Sequence, residues 1–182
     1  MLFNLDYPFF GLLQKLHRIH SPSITRAAFA LIATEYKGER CYLLQWNSKW
    51  GCYNFVGGKV EKDRGENGDF ARTIRREITE EMGIELEKLL VGQEIKQVRL
   101  WQFSQREKRV KAYLFSIFEI NFFPNLPMER QMIIRSLRWL SSKHDNIYVS
   151  RKEIMNLRTA DGKPISKTVR RILSELGELS TH

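Results

Sequence analysis

Three glutamates, Glu77, Glu80 and Glu81, have the type and spacing to do chemistry. Asp69 to Met82 contains neither proline nor glycine, and Gly83 stands where a left-handed cap would end a helix, so this stretch is predicted to be helical. Positions i, i+3 and i+4 share one side of a helix, which stacks the carboxylates so that they repel one another. Phe70, Ile74 and Ile78 form the apolar stripe, and Glu77 and Glu81 fall at its edge instead of opposite it. A half-buried carboxylate is costly unless a cation or a metal neutralises it. Clustered carboxylate oxygens suit a hard divalent ion, Mg²⁺ or Mn²⁺ where the ligand brings phosphates of its own. Arg76, one turn before Glu80, is placed to pair with it or to brace a neighbouring acid. The plainer account of such a run is a solvated, salt-bridged helix face.

The residues in front of the helix tell against the plainer account. Gly57 and Gly58 follow the apolar run Tyr53 to Val56, which reads as a short strand. A diglycine there is expected to bend the backbone tightly and present a bare carbonyl to a ligand or metal.

Arg76-Glu77-Ile78-Thr79-Glu80-Glu81-Met82-Gly83-Ile84 resembles the second half of the Nudix box: Arg-Glu, an aliphatic, any residue, Glu-Glu, any residue, Gly and an aliphatic. The first half departs from that pattern. The family places five residues between its Gly and first Glu and seven more before the Arg, whereas Gly58 to Glu66 encloses seven and Glu66 to Arg76 nine. The surplus reads as a longer loop, Lys62 to Gly68, rich in turn formers. By count Gly68 takes the place of the first acid, which leaves the role of Glu66 open.

The resemblance implies an α/β protein, a Nudix-like α/β/α sandwich with a mixed β-sheet. It implies hydrolysis of a nucleoside diphosphate linked to another group, with water attacking phosphorus and Mg²⁺ or Mn²⁺ as cofactor. Glu77, Glu80, Glu81 and the Gly58 carbonyl would hold the metal, and Arg76 would orient Glu77. The proton acceptor would come from the box helix or from a later loop, where Glu129 is the one carboxylate between Glu119 and Asp145; its plainer reading is a solvated acid. Relatives that cleave ADP-ribose carry a proline about fifteen residues past the box, where this chain has Arg99. Nucleoside triphosphates, dinucleoside polyphosphates and the 5′ ends of RNA remain as substrates. The rival from another class is a non-catalytic nucleotide- or RNA-binding module on the same fold, its site disabled by the longer loop.

The elements that must position these residues can be read in outline. The chain has 182 residues, 42% hydrophobic and 28% charged, an ordinary globular composition for one domain. Residues 1–22 read as an amphipathic, aromatic helical extension packed on the domain or on a second copy of the chain, and residues 23–182 as the catalytic domain. The longest apolar run of the extension, Pro8 to Leu13, is too short to cross a bilayer. Cys41 and Cys52 have no metal or redox spacing and read as reduced thiols of a cytoplasmic protein, with a single bridge between them as the alternative. Thr25 to Tyr36 and Cys41 to Trp46 read as a hairpin, and Glu94 to Phe103 with Arg109 to Phe122 as a second. The last of these strands is apolar on both faces and is expected at the centre of the sheet. Gln131 to Leu140 reads as a strand, and residues 151–158 and 165–176 as helices.

The net charge of +9 gathers at 99–111 and in the C-terminal part, at Arg151, Lys152, Arg158, Lys163, Lys167, Arg170 and Arg171. Basic surface beside an acidic metal site suits a polyphosphate, and equally RNA or DNA; nonspecific polyanion binding is the plainer account. Trp46, Trp50, Trp101 and Phe103 are candidates for stacking on a base, although aromatics in strands more often belong to the core. His17, His20, His144 and His182 make no zinc pattern.

Overall fold

β1 (Thr25–Leu31) organises the molecule because both of its faces are buried. The computed structural model describes residues 24–66, 68–82, 89–104, 109–122 and 145–180. The extension at 1–22, the strand expected at 131–140, Glu129 and all of the histidines lie outside the described residues.

Side chains alternate along a strand. Ala27, Phe29 and Leu31 therefore enter one apolar cluster, while Ala28, Ala30 and Ile32 enter another. The order in the first sheet is β5 (Gly57–Lys59), β1, β7 (Arg109–Phe122) and β6 (Leu89–Ser104). β1 runs parallel to β7 and antiparallel to β5, so the sheet is mixed, and β7 lies inside it as its two-sided apolar pattern requires. β6 and β7 form the expected hairpin, with register shifts around Glu94.

The second sheet is built on β3 (Glu39–Asn47). Tyr42 pairs with Ala33 of β2 (Ala33–Tyr36) and with Val149 of β8 (Asn146–Ser150), and Gln45 pairs with Asn54 of β4 (Cys52–Asn54) and with Asn146. β2 and β4 thus follow one edge of β3 and β8 the other. Lys37 and Gly38 join β2 to β3 with φ of 51° and 77°, the pair of left-handed residues that matches a tight hairpin to strand twist. The run Thr25 to Tyr36 is not one strand, contrary to expectation. It divides at Ile32, whose carbonyl accepts from Leu43 N–H at 2.8 Å, and only β2 pairs with β3.

Helices cover both faces. α1 (Phe70–Met82) packs Ile74, Ile78 and Met82 onto Ala28, Ala30, Val56 and Phe118. α2 (Arg151–Asn156) and α3 (Lys167–Glu175) close the opposite side, with Ile154, Val169, Ile172 and Leu173 against Phe29, Tyr42, Leu44 and Phe115. α2 starts in a capping box between Ser150 and Glu153, and α3 behind the Ser166 hydroxyl. Cys41 and Cys52 are free thiols. Among the described residues no helix is long and apolar enough to cross a membrane.

Candidate active site

α1 is fixed at its start by Asp69, whose Oδ1 accepts from Arg72 N–H at 3.0 Å. Its buried positions are Thr73, Ile74, Glu77, Ile78 and Met82, so a carboxylate sits inside the stripe that faces the sheet.

The sheet makes room for that carboxylate at Gly58. A Cβ there would lie 2.1 Å from Glu77 Oε1. The diglycine is not the tight turn expected of it. It is strand β5, with Gly57 opposite Phe29 and Gly58 opposite Ala28. Gly57 has φ of 137°, and a Cβ on it would lie 2.2 Å from the Ala28 carbonyl oxygen. Its N–H donates to Glu81 Oε2 at 3.1 Å, so the bare backbone supplies a donor to one acid and space to the other.

Arg76 is the hub on the helix side. Its Nε meets Glu66 Oε1 at 2.7 Å, Nη2 meets Glu77 Oε1 at 2.8 Å, and Nη1 meets Glu80 Oε2 at 3.1 Å. Nη2 also donates to the Lys59 carbonyl at 3.2 Å, tying the helix to the end of β5. Glu66, whose role the residue count left open, is 2% exposed and takes Glu61 N–H at 2.6 Å and Thr73 Oγ1 at 2.8 Å on its second oxygen. A short 3₁₀ turn at Lys62–Arg64 ends in Gly65 at φ 70°, and Glu66 follows it beneath Arg76. The extra residues therefore do not displace an acid from the site.

The acids are not equivalent. Burial pushes Glu81 up to about 7, and the nearby Glu77 and Glu80 charges add to this against the Gly57 hydrogen bond. Burial also raises Glu77, in opposition to Arg76. Burial would raise Glu66 too, but Arg76, Glu61 N–H and Thr73 outweigh it and hold that carboxyl below the usual range. Glu80 is 45% exposed at its side chain and is drawn aside by Arg64 and Arg76, which lower it.

Among the described residues no three acid, histidine or cysteine side chains converge as a ready cation cage. The donor chemistry nevertheless fits a hard cation in part. Glu77 and Glu81 are carboxylates whose ionised forms are disfavoured where they sit, and a divalent ion would relieve that cost.

The aromatic candidates do not gather at the acids. Trp46 packs edge-on against Tyr53 at 5.1 Å between ring centres, on the face of the second sheet turned away from α1. Trp50 is exposed, Trp101 is half-buried on β6, and the Phe103 side chain lies outside the described residues. In the C-terminal basic cluster, Arg158 donates to the Gly162 carbonyl at 2.9 Å, Arg170 to the Met155 carbonyl at 3.2 Å, and Lys163 pairs with Asp145 at 3.4 Å.

A mixed sheet and its partner sheet between helices, with the carboxylates of one helix laid over a glycine strand, define an α/β/α sandwich with an acidic site. Residues 24–157 match the NUDIX domain, and the chain belongs to that family. No curated protein sequence matches it. Solved structures with this fold include an Ap4A hydrolase from C. elegans, at 15% identity and a TM-score of 0.54, covering 85% of this chain and 97% of that one. A NUDIX hydrolase from Nitrosomonas europaea aligns at 14% identity and 0.53, covering 86% and 90%. The NUDIX domain of Shewanella oneidensis NrtR, solved with ADP ribose, aligns at 10% identity and 0.51, covering 91% and 97%. At such identities the likeness carries the fold alone.

Proposed function

We propose that this protein hydrolyses a nucleoside diphosphate linked to another group, with water attacking a phosphorus and Mg²⁺ or Mn²⁺ as cofactor. The observation that carries the reading is the seating of two carboxylates, Glu77 and Glu81, on the Gly57–Gly58 strand, with Arg76 held against them by the buried Glu66. Glu77, Glu81 and the Gly58 carbonyl hold the cation, and Glu80 joins them on release from Arg64 and Arg76. When bound, a divalent ion polarises a phosphoryl oxygen and makes water a stronger nucleophile near neutral pH. Arg76 positions Glu77 by a charge-assisted bond. The acceptor of the water proton comes from the box helix or from a later loop, where Glu129 is the candidate.

The +9 charge favours polyanionic substrates such as dinucleoside polyphosphates or RNA 5′ ends over small neutral ones. Free thiols fit a reducing compartment such as the cytoplasm.

A second reading, a nucleotide-binding module without turnover, is favoured by one observation: Glu80 is neutralised by two arginines instead of standing open beside its partners. Phosphate release from a nucleotide panel, with and without Mg²⁺, separates the two. The hydrolase shows Mg²⁺-dependent turnover that Glu81→Gln lowers by about 10²–10⁴-fold. Nucleotide binding with no turnover in either protein establishes the module.

A further inference from the structure

Gln45, Asn54 and Asn146 stand side by side on three adjacent strands, Gln45 being the register partner of Asn54 on one edge of β3 and of Asn146 on the other. Residues directly opposite one another in a sheet share a face. Gln45 follows Leu43 by two positions, Leu43 packs in the cluster beneath α1, and Gln45 Nε2 donates to the Glu81 carbonyl at 3.5 Å. The amide row therefore lies on the α1 side, at the helix end that carries Glu81.

All three are buried, at 6%, 4% and 4% exposure, where strand interiors ordinarily hold valine or leucine. Among the described residues, Asn54 Oδ1 and both polar atoms of Asn146 have no hydrogen-bond partner. A buried polar atom left unpaired costs about 1–3 kcal/mol, and native interiors contain few. Folding gives no reason for a row of them beside an acidic site. A ligand with its own donors and acceptors does.

We infer that this row reads the edge of a nucleobase. A carboxamide presents a donor and an acceptor side by side, the pattern that pairs bidentately with the edge of a base. Strands about 4.8 Å apart spread the row over about 10 Å, the scale of a purine and its substituents. The base lies against Asn54 and Asn146, and the phosphates of the same nucleotide reach Glu77 and Glu81. This inference rests on the nucleotide reading proposed above and adds to it that the base, not the phosphate chain alone, selects the substrate.

The test compares Asn54→Leu and Asn146→Leu with the unmodified protein, by calorimetric binding of ATP, GTP, CTP, UTP and inorganic tripolyphosphate with Mg²⁺ and by thermal melting. At least one nucleotide should bind more tightly than tripolyphosphate, and each leucine variant should weaken that nucleotide by about tenfold or more. Tripolyphosphate binding should be unchanged, and the melting temperature of the free protein unchanged or raised, because an unpaired polar atom has been removed. Asn54→Asp, which keeps the shape and replaces a donor with an acceptor, should change which base is preferred even if a leucine variant fails to fold. Equal affinity for nucleotides and tripolyphosphate overturns the inference, as does a lower melting temperature with nucleotide selectivity intact, the sign of amides that only hold structural water. Base-selective binding without turnover would sink the hydrolase reading and leave this one standing. Turnover indifferent to the base would do the reverse.

Discussion

Gly58 shows how much of the site depends on a missing atom. Gly58→Ala drives a methyl into Glu77 Oε1 but meets only the far end of a side chain, so the fold survives and the carboxylate moves. Steady-state kinetics should show kcat falling by about tenfold to a hundredfold with little change in melting temperature. Glu66 makes the opposite case: it lies beneath the acids and holds Arg76. Glu66→Ala takes from that guanidinium one of its three ion pairs, in a 15%-exposed position. Denaturant unfolding should register a loss of about 3 kcal/mol. Its folded pKa is held low, so this stabilisation is present above the ordinary carboxylate range and disappears as pH falls through the folded value. Glu77, Glu80 and Glu81 were legible in the sequence because helix spacing places them on one side, and Arg76 because it stands one turn before Glu80. Glu66 was not: counting residues treats a loop as a length, while a 3₁₀ turn determines which side chain returns to the helix.

At the level of elements, β5 and α1 act as one unit, and Gly57 is where they meet β1. Gly57→Ala requires both a φ of 137° in a residue with a side chain and a clash with the backbone of Ala28. It should cost at least about 2 kcal/mol in a thermal or urea melt, in contrast to its neighbour Gly58→Ala. The sequence showed that two glycines mattered there but not that they form a strand, because close approach and tight turning call for the same residue. The central position of β7 was legible from apolar residues on both of its faces. The division between β1 and β2 was not, since no proline or glycine interrupts Thr25 to Tyr36 and the break at Ile32 comes from pairing with two different sheets.

For the molecule as a whole, an acid with a raised pKa links stability to pH. Glu81 titrates near 7 when folded and in the ordinary carboxylate range when unfolded, so its contribution is fully present below about 4.5 and is lost as pH rises through about 7. In the metal-free protein, melting temperature should fall from about pH 5 to pH 8 by an amount worth on the order of 3 kcal/mol. Glu81→Gln should flatten that slope, and saturating Mg²⁺ should reverse it by favouring the ionised acid. The two alanines of β1, Ala28 and Ala30, are fully buried under Ile74 and Ile78 and act as the spacer between α1 and the sheet. Thickening that spacer with Ala30→Val should tilt α1 and slow turnover without removing a single acid, so the reach of the carboxylates is gauged by two methyl groups that carry no charge of their own.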